Sequence, residues 1–535
     1  MKHIYLILFG LALMLGSCDE FLQETPTGSL TDESQITSTS GGEALATGAY
    51  RALPEWTGGS VWWGGNRANA LEYATGKAYS QYQGAELWKF EQNSESGDSE
   101  YFVHPWNMWY KGVRDCNLAL KMLPGVTELN EDQLSGLLGE VRTLRAFYYF
   151  CLVRHYGDVV YNTEIVTDLA DAPRGRSSLV KIYDEIIVPD LEFAVNESAL
   201  ADEQSSDGRV TKHTARAILS DVYLTMSGYP YQEAATDTTK AWCEDGLWNM
   251  TGYPVGSSSS TALLQKAKTQ LDFLYGKYQL GSFDDIRNPA MDNKGEAIFQ
   301  IQYIAGLRNN DIISTTLPLA SQISMFGDEN GTGVPSVAYY ESYNAADKRI
   351  QDRVYFFEDD TKSLKYDQNE SPAAKFAVKF LYKYYDTEAI KVSGNSGLNF
   401  NIYRYSDILL MHSEVYWALG INSEDEVKGI NQIRTRAGLP TFQPGELTLL
   451  DIMSERAYEL IWENKMLFDM RRTRTALIDG AGEFAGLESF VGHQPTSFNF
   501  EFSAKHLLAP VSSTEIDNNR MCSQNYGWMP QQVAQ

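Results

Sequence analysis

An aromatic-rich stretch at residues 54–90 carries the side-chain types that carbohydrate recognition requires. Sugars present flat apolar faces ringed by hydroxyl groups, so a binding protein needs rings to stack on and amides or carboxylates for the hydroxyls. Glycines surround the tryptophans here, which would let the chain bring the rings to a surface. We therefore predict ligand contacts from Trp62, Trp63, Glu72, Tyr79, Tyr82 and Trp88.

Other aromatic clusters have different expected roles. Residues Trp106, Trp109 and Tyr110 lead into an amphipathic segment, which favours a place in the core. Two further clusters could contact a ligand, since exposed aromatic groups mark binding sites. Their members are Trp242, Trp248 and Tyr253, and then Tyr339, Tyr340 and Tyr343.

Enzyme signatures are poor, and we expect no catalytic activity. The sequence has no HExxH, GxSxG or P-loop motif. His412, Ser413 and Glu414 are consecutive on a predicted helix, so their side chains point apart and cannot form a triad. The many acids leave a carboxylate pair for glycoside hydrolysis open, although none is singled out.

The cysteines do not indicate a metal site. Cys116, Cys151, Cys243 and Cys522 are widely scattered and form no CxxC pair, whereas zinc sites need close ligand pairs. We expect no cofactor, and the sequence leaves a structural cation and a disulfide open.

The first residues are typical of a bacterial lipoprotein leader. The run from Ile4 to Leu15 is almost wholly apolar but too short to span a bilayer, which needs about 20 residues. "LGSC" matches a lipobox, which would be cut before Cys18 so that its thiol carries lipid. We predict a signal peptide at 1–17 and a lipid-anchored tether at 18–39, rich in Thr, Ser, Glu and Gln.

The acids behind the lipobox allow three interpretations. Asp19 and Glu20 resemble a surface-export tag of Bacteroides-type bacteria. In enteric bacteria an aspartate at this place would instead favour retention at the inner membrane. They could also simply belong to a solvated tether.

Composition excludes one class of partner. The chain has 535 residues, of which 43% are hydrophobic, so it can bury a substantial core. Its formal net charge of −26 opposes phosphate backbones, and we therefore expect no nucleic-acid partner.

Helical periodicity dominates the remaining chain. Apolar residues recur at helical spacing in segments at 140–156, 208–228, 261–276, 403–420, 427–440 and 451–472. The segment at 177–195 has the same pattern and should break or kink near Pro189. Helix pairs joined by short turns suggest TPR-like stacking. Long irregular stretches, which are commonly functional, are expected at 54–104, 228–260, 305–348 and 475–505.

Several segments, in order, resemble the SusD/RagB family of nutrient-binding lipoproteins. "DIMSERAYELIWENKMLFDMRRT" is similar to a family helix with the pattern ERxxELxxEGxRxxDLRR. "INQIRTRAGLP", "YRYSDILLMHSEV" and the ending "LLAPVSSTEIDNNRMCSQNYGW" also fit family segments. The chain departs from the pattern at Asn464, where the family usually has Gly, at Met466, where it usually has Arg, and at Arg520, where it usually has Pro.

The resemblance implies a fold and a site. It implies a mainly α protein in which TPR-like helix pairs form a SusD-like scaffold with long irregular binding loops, within a single domain at 40–535. It also implies that the face opposite the helix pairs carries the binding aromatics. Charged residues of the matching helix pattern, by contrast, should join helices rather than bind ligand. These are Glu455, Arg456, Glu459, Asp469, Arg471 and Arg472.

The resemblance further implies a role at the outer membrane. The leading hypothesis is a surface-exposed, lipid-anchored protein that captures an oligosaccharide and passes it to a SusC-type TonB-dependent β-barrel transporter. A peptide-binding relative of the RagB kind is the alternative, and a secreted hydrolase is a third. No motif encodes the identity or linkage of the glycan.

Overall fold

A computed structural model describes most of the chain beyond the leader. The described residues are 36–57, 60–65, 67–80, 100–166, 170, 172–203, 208–237, 252–317, 333–359, 378–385, 396–496 and 500–528. The predicted signal peptide, Cys18 and most of the predicted tether lie outside these ranges, so those predictions and the domain limits stay predictions.

Helices form most of the described structure. The longer ones are α1 (Thr39–Gly48), α3 (Glu100–Met122), α4 (Glu131–Tyr156), α6 (Val188–Asn196), α7 (Lys212–Ser227), α9 (Ser258–Leu274), α12 (Tyr405–Ala418), α13 (Glu424–Ala437), α14 (Leu449–Glu459) and α15 (Met466–Thr473). Shorter ones are α2 (Asn69–Tyr73), α5 (Leu179–Ile182), α8 (Tyr231–Ala234), α10 (Ile312–Thr316), α11 (Val337–Glu341) and α16 (Ser513–Asn518). Among these described helices none is long and apolar enough to cross a membrane.

The long helices pack in chain order. Helix α3 contacts α4, α4 contacts α6, α6 contacts α7, and α7 contacts α9. Helix α9 then contacts α12, which pairs with α13 and also touches α14. Because each helix buries its apolar stripe on the next one along the chain, the arrangement confirms the predicted TPR-like helix pairs.

Short antiparallel strand pairs connect the helices. The pairs are β1 (Trp56–Thr57) with β2 (Ser60–Val61), β3 (Ala78–Ser80) with β7 (Gly333–Pro335), β4 (Val159–Val160) with β5 (Arg176–Ser177), β6 (Ala297–Ile301) with β10 (Phe400–Arg404), β8 (Phe356–Asp359) with β9 (Val378–Leu381), and β11 (Thr475–Ile478) with β12 (Gly486–Ser489). The last pair is a hairpin inside the stretch 475–505, which the sequence pattern predicted to be irregular.

The helix predicted over 451–472 is wrong in one respect, because it is two helices. Helix α14 ends at Glu459 and α15 begins at Met466, with a turn between them. Trp462 and Asn464 in this turn both have φ of 58°. Asparagine tolerates this left-handed backbone better than most residues, as glycine does. This explains how Asn464 can stand at a position where the family pattern quoted above has glycine.

The interruption expected near Pro189 is present in another form. Residues Tyr183–Ile187 make a π-helical turn, and α6 begins at Val188 with the proline in its first turn. Proline lacks an N–H and is best tolerated in the first turn of a helix. The chain therefore keeps its helical path and absorbs the proline by widening the preceding turn.

Trp106 and Trp109 lie in the core, as predicted. Both rings are buried in α3, and Trp106 packs edge-on against Tyr156 of α4 at a centroid distance of 4.9 Å. Tyr110 is half-buried and donates from its hydroxyl to the Val160 carbonyl at 3.0 Å. The rings join α3 to α4 and to the strand that follows it.

A buried ionic network centres on Glu459 at the end of α14. Arg404, at the end of β10, contacts the Glu459 carboxylate at 2.8 Å and grips Glu463 with two hydrogen bonds of 2.9 Å from its Nε. Arg349 reaches Glu455 at 2.7 Å and Glu459 at 3.3 Å, and Arg436 of α13 also pairs with Glu459. The side chains of Arg349, Arg404 and Glu459 have no exposed area. Paired charges and hydrogen bonds are what make such burial tolerable.

The network holds Glu459 in its ionised form. Burial alone would raise the pKa of this carboxyl group, but the neighbouring Arg436, Arg404 and Arg349 outweigh it and hold the pKa well below its ordinary value. Glu459 therefore acts as a permanent anion between three guanidinium groups.

A second buried cluster confirms the structural role predicted for the other motif residues. Arg456 pairs with Asp407 at 3.0 Å and with Asp469 at 2.7 Å, so it joins α14 to α12 and α15. Arg472 contacts Asp469 at 2.8 Å and Glu414 of α12. Arg471 differs, because its Nε donates to the His506 carbonyl at 3.0 Å and burial lowers its pKa to about 9.

Removing one cation from the Glu459 network should destabilise the fold. In Arg404→Met, the buried Glu459 and Glu463 lose their shared partner, and breaking such a pair costs about 3–5 kcal/mol. Urea denaturation of the variant and the parent measures the difference.

The matched control is Arg51→Met. It breaks the pair between Arg51, whose side chain is 63% exposed, and the buried Asp115, which keeps Arg114 as a partner at 2.7 Å. Because the arginine is exposed and the carboxylate stays paired, the loss should be about 1 kcal/mol or less, so this variant should unfold close to the parent. Equal losses in the two variants would contradict the central role of the network.

Candidate functional site

Trp62 and Trp63 lie in the core, so the prediction that they are exposed ligand platforms is wrong. Their exposed fractions are 1% and 3%. Trp62 meets Trp109 edge-on at a centroid distance of 5.8 Å, and Trp63 stacks on Phe400 of β10 at 6.4 Å. Burying such large rings stabilises the fold, and here that use leaves no face for a ligand.

The glycines beside these tryptophans turn the chain tightly inward. Gly64 has φ of 69°, a backbone conformation that favours glycine. A Cβ atom on Gly65 would lie 2.2 Å from the Val61 carbonyl oxygen and 2.6 Å from a carboxylate oxygen of Asp311. These glycines therefore allow close packing of the backbone and do not present the rings to solvent.

Glu72 is also interior, and the prediction that it contacts ligand is wrong. It lies on α2 with 5% of its surface exposed. Its Oε1 accepts hydrogen bonds from the backbone N–H of Asn464 at 2.8 Å and from the Asn464 side chain at 3.3 Å. The neighbouring Asn69 accepts from the Trp462 indole at 3.0 Å. Helix α2 thus supports the turn between α14 and α15.

Burial makes Glu72 an unusual acid. Desolvation raises its pKa from an ordinary 4.5 to about 7, against the opposing effect of the Asn464 N–H. The protonated form is therefore favoured in the folded protein over most of the mildly acidic range.

Tyr82 and Trp88 lie outside the described residues, as does the side chain of Tyr79, so these site predictions stay predictions. The backbone of Tyr79 is described and pairs with Val334, and Ser80 pairs with Gly333. Tyr82 and Trp88 follow β3 in the sequence, and β3 is paired with β7. Strand β7 in turn contacts β9.

Of the other predicted aromatic clusters the structure describes four tyrosines, and two of these are interior. Tyr339 and Tyr343 are 1% and 3% exposed, and their hydroxyls bind the Ala457 and Tyr458 carbonyls at 2.8 and 3.0 Å. The Tyr253 hydroxyl donates to Glu414 at 2.7 Å. Trp242 and Trp248 lie outside the described residues. Tyr340 is half-buried and lies beside Lys379, whose Nζ is 5.1 Å from the ring centroid.

The side chains of His412, Ser413 and Glu414 diverge, as the sequence pattern predicts. His412 faces Asp272 of α9 at 3.3 Å, and Glu414 pairs with Arg472. Ser413 accepts a hydrogen bond from the Ile430 N–H of α13 at 3.0 Å. All three therefore connect helices.

In the part of the chain that is described, Cys116, Cys151 and Cys522 are free thiols, and no cluster of three or more His, Cys, Asp or Glu could hold a metal. Cys243 lies outside that part.

Two surface clefts of the described structure were not anticipated from the sequence. One, of about 710 Å³, lies between α1 and the side chains of Gln300 and Gln302, and its wall is mainly apolar. The other, of about 780 Å³, lies beside α13 and is lined by Tyr275, Tyr278 and Tyr405. A signal for the second cleft existed, since Tyr275 and Tyr278 stand three residues apart at the end of the helix predicted over 261–276.

Comparison with known proteins places the chain in a family. The SusD family profile matches residues 334–528, and a second profile, described as starch-binding associating with outer membrane, matches residues 28–224. A SusD superfamily protein from Parabacteroides distasonis is 30% identical in sequence, with a TM-score of 0.77, over 92% of this chain and 100% of that one. The chain belongs to the SusD family.

Other known proteins align over nearly the whole chain. SusD-like protein P2 of Formosa agariphila is 24% identical over 99% of this chain and 100% of its own length. The surface glycan-binding protein A of Bacteroides uniformis has 19% identity and a TM-score of 0.71, over 91% of this chain and 99% of that one. A laminarin-binding SusD-like protein has 20% identity and a TM-score of 0.66, with coverage of 91% and 99%. The last two share the fold.

Glu72 should make this SusD-family fold less stable as the pH rises. Its folded pKa of about 7 exceeds the ordinary 4.5, so the native state keeps a proton that the unfolded chain has already released between these values. Stability should fall across this window by on the order of 3 kcal/mol. Glu72→Gln keeps an acceptor for Asn464 and should flatten the dependence, becoming more stable than the parent at pH 8. Urea denaturation from pH 4.5 to 8 measures it.

Exposed Glu483 provides the control. Glu483→Gln should follow the parent curve within about 0.5 kcal/mol. An unchanged pH dependence in Glu72→Gln would show that Glu72 is not protonated in the native state.

Proposed function

We propose that this SusD-family protein is a cell-surface lipoprotein that binds glycans. The observation that carries the proposal is the match of residues 28–224 to a family described as starch-binding and associated with the outer membrane. Relatives of the same fold include a surface glycan-binding protein and a laminarin-binding protein. The protein would bind an oligosaccharide without making or breaking a bond.

Glycan contacts are proposed at Tyr79, Tyr82 and Trp88. Trp62, Trp63 and Glu72 of the aromatic-rich stretch are buried. The remaining rings predicted there are therefore the candidates for glycan contact. Tyr79 lies on β3, Tyr82 and Trp88 follow it in the sequence, and β3 is held by its pairing with β7. A rigid origin would limit the conformational entropy lost when the rings close on a sugar.

Anchoring and transport complete the proposal. Lipid on Cys18 would hold the protein at the outer membrane, and residues 19–39 would serve as a tether. The packed helices from α3 to α7 offer a rigid surface that could cover a SusC-type TonB-dependent β-barrel. The bound oligosaccharide would pass from this protein into the barrel.

Trp88→Ala should weaken glycan binding by about 1–3 kcal/mol, as the loss of an aromatic anchor does at binding hot spots. Calorimetry with laminarin-derived and xyloglucan-derived oligosaccharides measures the affinity. Tyr526→Ala is a control for loss of an aromatic ring, because Tyr526 is 45% exposed and belongs to the C-terminal segment. It should bind like the parent.

The same titrations should include a panel of peptides. Binding to peptides alone would overturn the carbohydrate proposal and favour a RagB-like function. If Trp88→Ala folds normally and binds glycan as the parent does, then the Trp88 ring is not part of the site.

The anchor can be tested separately. Cys18→Ala should abolish lipid attachment, so the protein should leave the membrane fraction of its host cells. Mass spectrometry of the mature parent should show an acylated N-terminal cysteine. An unmodified parent N-terminus would contradict the lipoprotein proposal and leave glycan binding untouched.

A further inference from the structure

A tyrosine-lined cleft lies on the helix stack. Its elements differ from β3 and from the residues proposed above to bind glycan. Its wall is formed by the chain just after α9, the start of α12 and one face of α13. The α13 face has helical spacing, since its residues stand at 428, 431, 432, 435 and 436. The cleft measures about 780 Å³, within the range of small-molecule sites.

Two of its rings are half-exposed and held in place from behind. The Gly276 N–H donates to the Tyr405 hydroxyl at 2.7 Å, which fixes the chain between Tyr275 and Tyr278. The Gln432 amide donates to the Tyr275 hydroxyl at 2.7 Å, and the Tyr278 hydroxyl lies 3.0 Å from Nδ1 of His213. The rings are therefore oriented before any ligand arrives, which reduces the cost of binding.

A buried donor borders the same cleft. The Arg436 side chain is 10% exposed, and its two terminal nitrogens already bind Glu296, Glu459, Ser406 and the Gly281 carbonyl. Its Nε has no hydrogen-bond partner among the described residues. A buried donor without a partner costs roughly 1–3 kcal/mol. The four partners of its terminal nitrogens make this guanidinium a fixed part of the cleft wall.

The charges of the cleft are already neutralised by protein partners. Lys428 pairs with Asp425 at 2.6 Å and stands 4.0 Å over the centroid of the Tyr275 ring. Arg436 pairs with Glu296 at 3.2 Å. None of the twelve lining residues belongs to a strand, so the cleft offers no edge for an extended peptide. Rings, amides and neutralised charge suit an uncharged ligand with many hydroxyls.

We propose that this cleft is a second saccharide-binding site, in which Tyr275 and Tyr278 contact the sugar and Gln432 binds its hydroxyls. The proposal rests on the proposed function for the ligand class but not for the location. Two sites on different elements would let one molecule hold a long glycan at two points, which raises its avidity.

Filling the cleft tests the proposal without deleting a packed group. Thr435 is exposed on α13 and its hydroxyl donates to the Asn431 carbonyl four residues earlier at 2.7 Å. Thr435→Trp should block the cleft. Thr269→Trp is the matched control, because Thr269 is exposed on α9, makes the same bond to the Gln265 carbonyl at 3.0 Å, and does not line the cleft.

Calorimetry should be run with xyloglucan-derived and laminarin-derived oligosaccharides. The parent and Thr269→Trp should show two sites for the sugar that binds, and Thr435→Trp only one. In the Trp88→Ala background, Tyr275→Ala and Tyr278→Ala should each weaken the remaining site at least about tenfold. Thermal unfolding of every variant confirms that it folds.

The outcomes separate this proposal from the proposed function. If the parent shows one site and Thr435→Trp leaves its affinity unchanged, the proposal for the cleft is wrong, whereas the proposed glycan-binding function remains. Cleft binding of peptides but of no sugar would overturn the saccharide assignment. No binding of any sugar to the parent would overturn both proposals.

Discussion

The charge balance around Glu459 fixes the arrangement of the C-terminal half of the molecule. Its carboxylate meets Arg349, Arg404 and Arg436, and its carbonyl accepts from Arg404 at 2.8 Å and Lys383 at 3.0 Å. These four cations come from four separate stretches of the chain. Every partner must be in place for the buried charges to be satisfied, because a half-satisfied network is worse than an apolar core. The network therefore admits one arrangement of α13, α14 and β10.

The same network is linked by contacts to β3, the strand that carries Tyr79. Lys383 follows β9 and donates to the Glu459 and Ile461 carbonyls, and the Tyr384 hydroxyl donates to the Trp462 carbonyl at 3.2 Å. Strand β9 contacts β7, and β7 pairs with β3. Backbone and side-chain contacts thus connect the buried charges of the helix stack to β3, which precedes Tyr82 and Trp88 in the sequence.

The sequence predicted the helices well because their apolar periodicity is a local property. It also identified the charged motif as structural, since arginines and acids at helical spacing join neighbouring helices. It could not show that the motif helix breaks at residues 460–465. That turn depends on Glu72 and Asn69, almost four hundred positions earlier, which satisfy Asn464 and Trp462. The error at Glu72 has the same origin, because its partners are remote in sequence.

The tryptophans show a further limit of predicting a binding site from residue types alone. A glycine-flanked ring suits an exposed platform and a tightly packed interior equally, and the neighbouring side chains decide between them. Trp63 is interior because Phe147 and Phe400 meet it from distant elements. The tyrosines differ in the same way. Tyr339 and Tyr343 use their hydroxyls on buried carbonyls, whereas Tyr275 and Tyr278 are bonded at the hydroxyl but keep part of each ring in solvent. A ring that is anchored at its polar end and keeps part of its apolar surface in solvent can contact a sugar.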